Sequence, residues 1–370
     1  DEKAPSDPLV WAQKQVETIP EFNWKGKYIL SEKEMRKYWI TMRVEENTTL
    51  RKKYKNDPEG FRKAERQLKN DVGKKFWPNN EICIRHAEAL RSEHPVLAKL
   101  WYFWGNHFTI SDTQTLSSFS TGAYQREFIR SNMDKTFETM VNEATLAWPM
   151  IMHLDNKDNV GPKSISGKDE WRKRKKKPAT INENHARELM ELHTISPDGG
   201  YTQEDVIELA KIMTGWRPKW TKGRDHGHDV SFDRERHEPG KKKVLGKVYR
   251  SGKKGINLAI KDLVNHPSCR EFIATKLCKY LITDNPTPEM IAPVIKAWEK
   301  SDGLLPEVHK AAIKIAFEYN DKYKKFQNPE NWWLTTINMS GSNYNYPVSE
   351  YKMNQFVFGF KPSHEMRFPS

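Results

Sequence analysis

Apolar residues recur every three or four positions along most of this chain, which is the spacing of one face of an α-helix. The clearest case runs from Asn182 to His193 and ends before a Pro-Asp-Gly-Gly turn. Similar spacing, with capping residues and prolines at the starts, predicts helices over 31–42, 58–72, 80–93, 95–107, 121–155, 202–214, 256–265, 268–281, 287–300 and 304–318. The pattern therefore predicts a mainly α protein, a multi-helix globular domain.

A different pattern occupies residues 224–249. Val230 and Phe232 alternate with polar residues, and a charged turn leads to a second apolar group ending at Tyr249. This alternation predicts one small β-hairpin insertion. The prolines of residues 1–30 indicate an extended lead-in, and the residues beyond 331 have the composition of an irregular tail. We expect an N-terminal helical extension at 1–94 packed on a core domain at 95–330, and a C-terminal tail at 331–370.

The segment from Asn182 to His193 is also the densest in candidate chemistry. On an α-helix His193 lies on the apolar arc, and His185 lies near its edge. Arg187 and Glu191 lie four apart on the opposite face and can form a salt bridge. Glu191 and His193 therefore cannot bind one ion together. A site would use His193, or His185 with Glu188, and groups from elsewhere.

A second inward-facing histidine, His107, ends the helix predicted over 95–107. His107 lies on the same side as Leu100, Phe103 and Trp104. Two histidines that point inward from separate helices can serve as ligands or catalysts. They can equally be hydrogen-bonded groups of the core, which is the commoner role of a buried histidine.

Composition narrows the possible functions. The net charge is +13 at pH 7, and a basic surface attracts acidic polymers such as nucleic acid, acidic polysaccharide or anionic lipid. A soluble protein that is merely basic is the alternative, because no nucleic-acid-binding motif occurs. The three cysteines, Cys83, Cys269 and Cys278, form neither a disulfide framework nor a zinc motif. No apolar run is long enough to span a membrane.

The run Trp171-Arg-Lys-Arg-Lys-Lys-Lys177 is the most basic stretch of the chain and lies among glycine, proline and serine. This composition predicts a mobile, solvated loop. The functional alternative is contact with a polyanion or a partner protein through Trp171, Arg172, Lys173, Arg174 and Lys175. The chain also begins without methionine, which fits removal of an export signal, although a shortened chain would begin in the same way.

Eight segments in order resemble one bacterial family, the domain-of-unknown-function family 1800. They are Tyr102–Phe108, Met150–Asp155, Asn182–Thr194, Gly200–Val206, Leu209–Trp216, His237–Gly246, His266–Leu277 and Lys325–Glu330. The resemblance covers about Pro95 to Gly359 and leaves residues 1–94 largely outside. The chain departs from the family pattern at His185, where tyrosine is usual, at Gly105, where histidine is frequent, and at Glu238, where aspartate is frequent.

The resemblance implies an exported, mostly helical bacterial protein, secreted or held in the periplasm or at the cell surface. It also implies a possible partner, a co-encoded exported protein that resembles alkaline phosphatases. It implies no reaction, so whether the chain is an enzyme stays open.

Two main hypotheses remain from the sequence. We favour a binding or structural module for an acidic polysaccharide, another envelope component or a partner protein. The alternative is a metal-dependent hydrolase or oxidase with a transition metal held by His107, His193, His237 and Glu188, in which Glu188, His193 and His107 are catalytic. Nucleic-acid binding ranks last, because net charge alone supports it.

Overall fold

The structure is a computed structural model that describes residues 5–22, 29–40, 46–75, 78–91, 93–110, 120–174, 180–219, 229–322, 325 and 329–340. Within these ranges the α-helices are α1 (Pro8–Lys14), α2 (Glu32–Ile40), α3 (Asn47–Lys53), α4 (Pro58–Lys75), α5 (Pro78–Arg91), α6 (Pro95–His107), α7 (Thr121–Tyr124), α8 (Phe137–Leu146), α9 (Trp148–His153), α10 (Ile165–Arg174), α11 (Asn184–Glu188), α12 (Gln203–Met213), α13 (Gly255–Val264), α14 (Pro267–Leu281), α15 (Pro288–Ser301), α16 (Leu305–Tyr319) and α17 (Pro329–Met339). The mainly α prediction is confirmed.

Several helices begin where local chemistry dictates. Thr202 and Asp205 form a capping box at the start of α12, each side chain accepting a backbone N–H of the other. Proline stands in the first turn of α6, α14, α15 and α16, where its missing N–H breaks no helical hydrogen bond. Gly215 follows α12 with φ of +85°, a conformation that favours glycine.

Within the described ranges, four short strands form two antiparallel pairs, rather than the single hairpin that the sequence predicts. The strand β1 (Trp216–Pro218) pairs with β2 (Val230–Phe232), and β3 (Lys242–Val244) pairs with β4 (Lys247–Tyr249). Leu245 and Gly246 join β3 to β4 with φ of +48° and +79°. Positive φ at both positions suits a two-residue hairpin turn, so the apolar group beyond 243 folds back on itself instead of pairing with β2.

The core is continuous from the N-terminal helix to the C-terminal ones. Ala12 and Val16 of the N-terminal segment belong to the same buried cluster as Ile315 of α16. An aromatic group at the centre joins Trp104 and Phe108 to Phe137 and Trp298. The division into segments 1–94, 95–330 and 331–370 stays a prediction.

Two of the expectations for the chain ends are wrong. Part of the lead-in is the helix α1, which Asp7 caps by accepting the N–H of Val10. The tail begins with the helix α17, and residues 341–370 lie outside the described residues. Both helices begin at a proline, Pro8 and Pro329, where the missing N–H of proline breaks no helical hydrogen bond.

Candidate functional site

The helix α11 is tied at its start to the segment after α9. Asn182 donates a side-chain hydrogen bond to the carbonyl of Asp155, and its backbone N–H donates to Asn159 Oδ1. On the outer face Arg187 donates to Glu191 Oε1 at 3.0 Å, so the predicted salt bridge is confirmed. These contacts leave the opposite face of α11 against the core.

The end of this segment is not the regular helix that the sequence predicts. Residues Leu189–His193 form a π-helix directly after α11, and Thr194 Oγ1 donates to the carbonyl of Leu189. A π-turn is wider than an α-turn, so residues beyond Glu188 no longer follow the expected 100° spacing. His185, predicted near the edge of the apolar arc, is instead 1% exposed, and His193 is 4% exposed.

His107 links three elements through both of its ring nitrogens. Its Nε2–H donates to the carbonyl of His193 at 3.1 Å, and its Nδ1 accepts from Lys276 Nζ at 3.0 Å. Because a carbonyl can only accept, Nε2 carries the proton in the neutral ring. Burial, followed by the nearby charge of Lys276, lowers the pKa of His107 well below 6.5. Its ring centroid lies 6.0 Å from that of His193.

Among the described residues, some buried nitrogens of the His185 and His193 imidazoles have no hydrogen-bond partner. These atoms are Nδ1 of His193 and both ring nitrogens of His185. Burial lowers the pKa of each to about 3, with a smaller contribution from neighbouring basic groups: Lys276 acts on His193, and His193 acts on His185. Buried polar groups almost always have partners, so unpaired ones indicate a place for water or another bound species.

His237 lies in a separate hydrogen-bond network. Its Nδ1–H donates to the carbonyl of Thr214 at 2.9 Å, and its Nε2 accepts the N–H of Gly252 at 3.1 Å and contacts Lys242 Nζ at 3.3 Å. Burial lowers the pKa of His237 to about 4. With both nitrogens engaged, the ring holds the residues after α12 against the turn after β4.

The two glutamates considered at the sequence level have different surroundings. Glu188, the last residue of α11, is half-buried, and burial, reinforced by Glu191 and opposed by Arg187, raises its pKa above 4.5. Glu238 is buried, and its Oε2 accepts the N–H of Lys163 at 2.9 Å. Glu238 therefore holds the residues before α10 rather than projecting into open space.

Across the ranges that the structure describes, no group of three or more His, Cys, Asp and Glu side chains is arranged to hold a metal ion. His107, His193, His237 and Glu188 are thus not gathered into one coordination sphere. His107 and His237 would each have to give up a hydrogen bond to bind a metal through a ring nitrogen. The metal site stays a prediction from the sequence.

The basic run is helical at its start rather than a loop. Trp171, Arg172, Lys173 and Arg174 form the last turn of α10. Their side chains, and Lys175 entirely, lie outside the described residues. A partner contact through this run stays a prediction.

Lys276 is the principal residue that sequence reasoning missed. It lies seven residues after Cys269 and three after Ile273, both buried on α14. Its place on this apolar stripe was a usable signal, because lysine seldom occupies the buried face of a helix.

Comparison with known proteins places the chain in a family. A family model described as "Protein of unknown function (DUF1800)" matches residues 11–362. The chain belongs to this family. The match begins far before Pro95, so the expectation that residues 1–94 lie largely outside the family is wrong. No curated protein and no solved structure matches the chain. In the described part of this DUF1800 protein, no helix has the length and apolarity needed to cross a membrane.

Proposed function

We propose that this DUF1800 protein is a binding module for an acidic polysaccharide of the bacterial envelope. The supporting observation is the surface around the hairpin of β3 and β4. From Gly240 to Lys254 the chain carries seven lysines and arginines and no aspartate or glutamate. Six of these cations are exposed, and we call them the hairpin basic surface: Lys241, Lys243, Lys247, Arg250, Lys253 and Lys254.

Most of this positive charge is available to a ligand. In the described structure Lys247 pairs with Asp262 at 2.6 Å, whereas Lys241, Arg250 and Lys254 form no ion pair. One flank of the hairpin faces an open groove of about 760 Å³ whose other wall is α12 with its acidic side chains. A polyanion would therefore lie over the turn at Arg250 and Lys254, away from that wall.

The chemistry of this surface favours a glycan over a nucleic acid. Single-stranded nucleic acid is usually held by bases stacked on exposed aromatic rings. Between Gly240 and Lys254 the one aromatic residue, Tyr249, is buried, and its hydroxyl donates to Asp262. Exposed cations without stacking rings suit the spaced carboxylates of an acidic polysaccharide.

The experiment is a binding titration with polygalacturonate, using dextran as the neutral polymer. In the test variant Arg250, Lys253 and Lys254 are each changed to glutamine. In the control variant the exposed Lys296, Lys300 and Lys314 of α15 and α16 are changed instead, so both variants have the same net charge.

We expect the unmodified chain and the control variant to bind polygalacturonate, with affinity that falls as salt is added. The hairpin variant is expected to bind about tenfold more weakly, equivalent to ~1.4 kcal/mol. Equal loss of affinity in both variants would show that net charge alone explains the binding, which would contradict its assignment to the hairpin basic surface. Absence of binding at low salt would contradict the function itself.

Export and partnership belong to the same proposal and rest on the family resemblance. We propose that the protein is secreted or periplasmic, and that a co-encoded phosphatase-like protein is a partner. Cell fractionation tests the first point, and co-purification of the two tagged proteins tests the second. Recovery of the chain in the cytoplasmic fraction would contradict export.

A further inference from the structure

Lys276 is a cation in an apolar setting without a counter-charge. Its Nζ donates to His107 Nδ1, and its ammonium lies 5.0 Å from the centroid of the Phe272 ring. Among the described residues no carboxylate lies within ion-pair distance of it, and burial lowers its pKa to about 8. An ammonium donates three hydrogen bonds, and His107 accepts one, so two donors are left over.

The imidazole of His193 provides a further hydrogen-bond donor near Lys276. The ring of His193 lies 6.0 Å from that of His107, and His107 Nδ1 accepts from Lys276 Nζ, so the ammonium and the His193 imidazole both lie beside the His107 ring. Each neutral imidazole offers one N–H, and within the described part of the chain the buried Nδ1 of His193 has no partner. Lys276 is partly exposed whereas His193 is buried, so a ligand would reach the site from the side of Lys276.

The positive charge of Lys276 favours an anionic ligand over a metal cation. A metal cation beside His193 would be repelled by the Lys276 ammonium, and among the described residues no carboxylate pairs with Lys276 to offset that repulsion. An oxyanion would neutralise the ammonium and accept its spare N–H groups together with that of His193. A buried charge without a counter-charge is unfavourable, so such a ligand satisfies both the charge and the donors.

We propose that Lys276 and His193 form a binding site for a small oxyanion that carries a carboxylate or phosphate group. His107 is a positioning residue in this site. Its two hydrogen bonds hold the Lys276 ammonium at a fixed place relative to the His193 backbone. The site is independent of the hairpin basic surface and shares no residue with it.

The test is calorimetric titration of the full chain, after exhaustive dialysis, with inorganic phosphate and separately with acetate. Sodium chloride at equal ionic strength serves as the reference. The test variant is Lys276→Met, which keeps the length of the apolar stem. The control is Lys279→Met, which removes an exposed charge from the same helix.

We expect saturable binding of phosphate or acetate to the unmodified chain and to Lys279→Met. Binding should be at least tenfold weaker in Lys276→Met. Preference for one anion identifies whether the site takes a phosphate or a carboxylate group. Absence of saturable binding of both anions, or equal binding to Lys276→Met, would overturn the proposal.

Two further measurements distinguish loss of a binding group from misfolding, and the proposed oxyanion site from the hairpin basic surface. His193→Asn keeps a side-chain N–H donor and should bind more tightly than His193→Leu if circular dichroism shows both to be folded. Equal affinity of these variants would exclude His193 from the site. The hairpin variant should retain phosphate binding, and its loss there would show that general surface charge explains the signal.

Discussion

His309 tests how the burial of a histidine in this fold affects the free energy of unfolding at acidic pH. It lies on α16, is completely buried, and accepts a hydrogen bond from Trp104 Nε1 to its Nε2 at 2.8 Å. The Trp104 donor holds the ring in the neutral form with the proton on Nδ1. Burial lowers the pKa of His309 from 6.5 to about 3.

The direction of the pH effect follows from this difference. Above pH 6.5 the ring is neutral in the folded and unfolded chains, and its stabilisation is fully present. Between pH 6.5 and about 3 the unfolded chain binds a proton that the folded chain does not, so stability is lost as the pH falls. At pH 5 the loss is about 2 kcal/mol, from ~1.4 kcal/mol for each pH unit below 6.5.

The assay compares His309→Gln with the unmodified chain in urea unfolding at pH 7 and pH 5. Glutamine can still accept from Trp104 but does not titrate. We expect the free energy of unfolding to fall by about 2 kcal/mol less in the variant over this interval. His266→Gln is the control, because His266 is partly exposed and should change the pH dependence much less. Equal pH dependence in His309→Gln and the unmodified chain would refute the reasoning.

Three further outcomes are expected. Lys276→Met should raise the free energy of unfolding at pH 7 by about 1 kcal/mol without added anions. The lowered pKa of Lys276 corresponds to roughly 3 kcal/mol, and loss of the donor to the buried His107 Nδ1 costs about 2 kcal/mol. Urea unfolding measures the change, and a free energy of unfolding below that of the unmodified chain would contradict the buried-charge argument. Gly215→Ala should lower the free energy of unfolding by more than ~2 kcal/mol, because the added Cβ would lie 2.4 Å from the Asp233 carbonyl oxygen. Gly240 also has a positive φ but has open space around it, so Gly240→Ala should lower the free energy of unfolding by about 1 kcal/mol. Elemental analysis should find no stoichiometric transition metal; about one equivalent, lost in His193→Ala, would instead support the metal-dependent enzyme.

The helices with the strongest local signals were predicted best. The capping box at Thr202 and the proline of α6 act within one helical turn, so the sequence around them suffices to place those helix starts. The hairpin of β3 and β4 was harder, because its turn uses Leu245 at positive φ. Leucine carries no sequence signal for that conformation, and the actual partner of β2 lies before it in the chain.

The candidate site was predicted in part. His107 and His193 were expected inside the core on separate helices, and both are buried there. The π-helix at the end of the segment from Asn182 to His193 was missed, as was the complete burial of His185. His237 was expected to join the two inward histidines but is held by Thr214 and Gly252 instead.

The sequence alone therefore determined the helical character, most helix starts and the inward position of two histidines, because these depend on interactions within a few residues. Tertiary structure decided which groups meet. His107 contacts residues 86 positions away in the π-helix and 169 positions away in α14. It also decided the protonation of the site, because a pKa depends on how fully neighbouring elements exclude water from a group. Neither the packing partner nor the degree of burial is encoded by spacing along one helix.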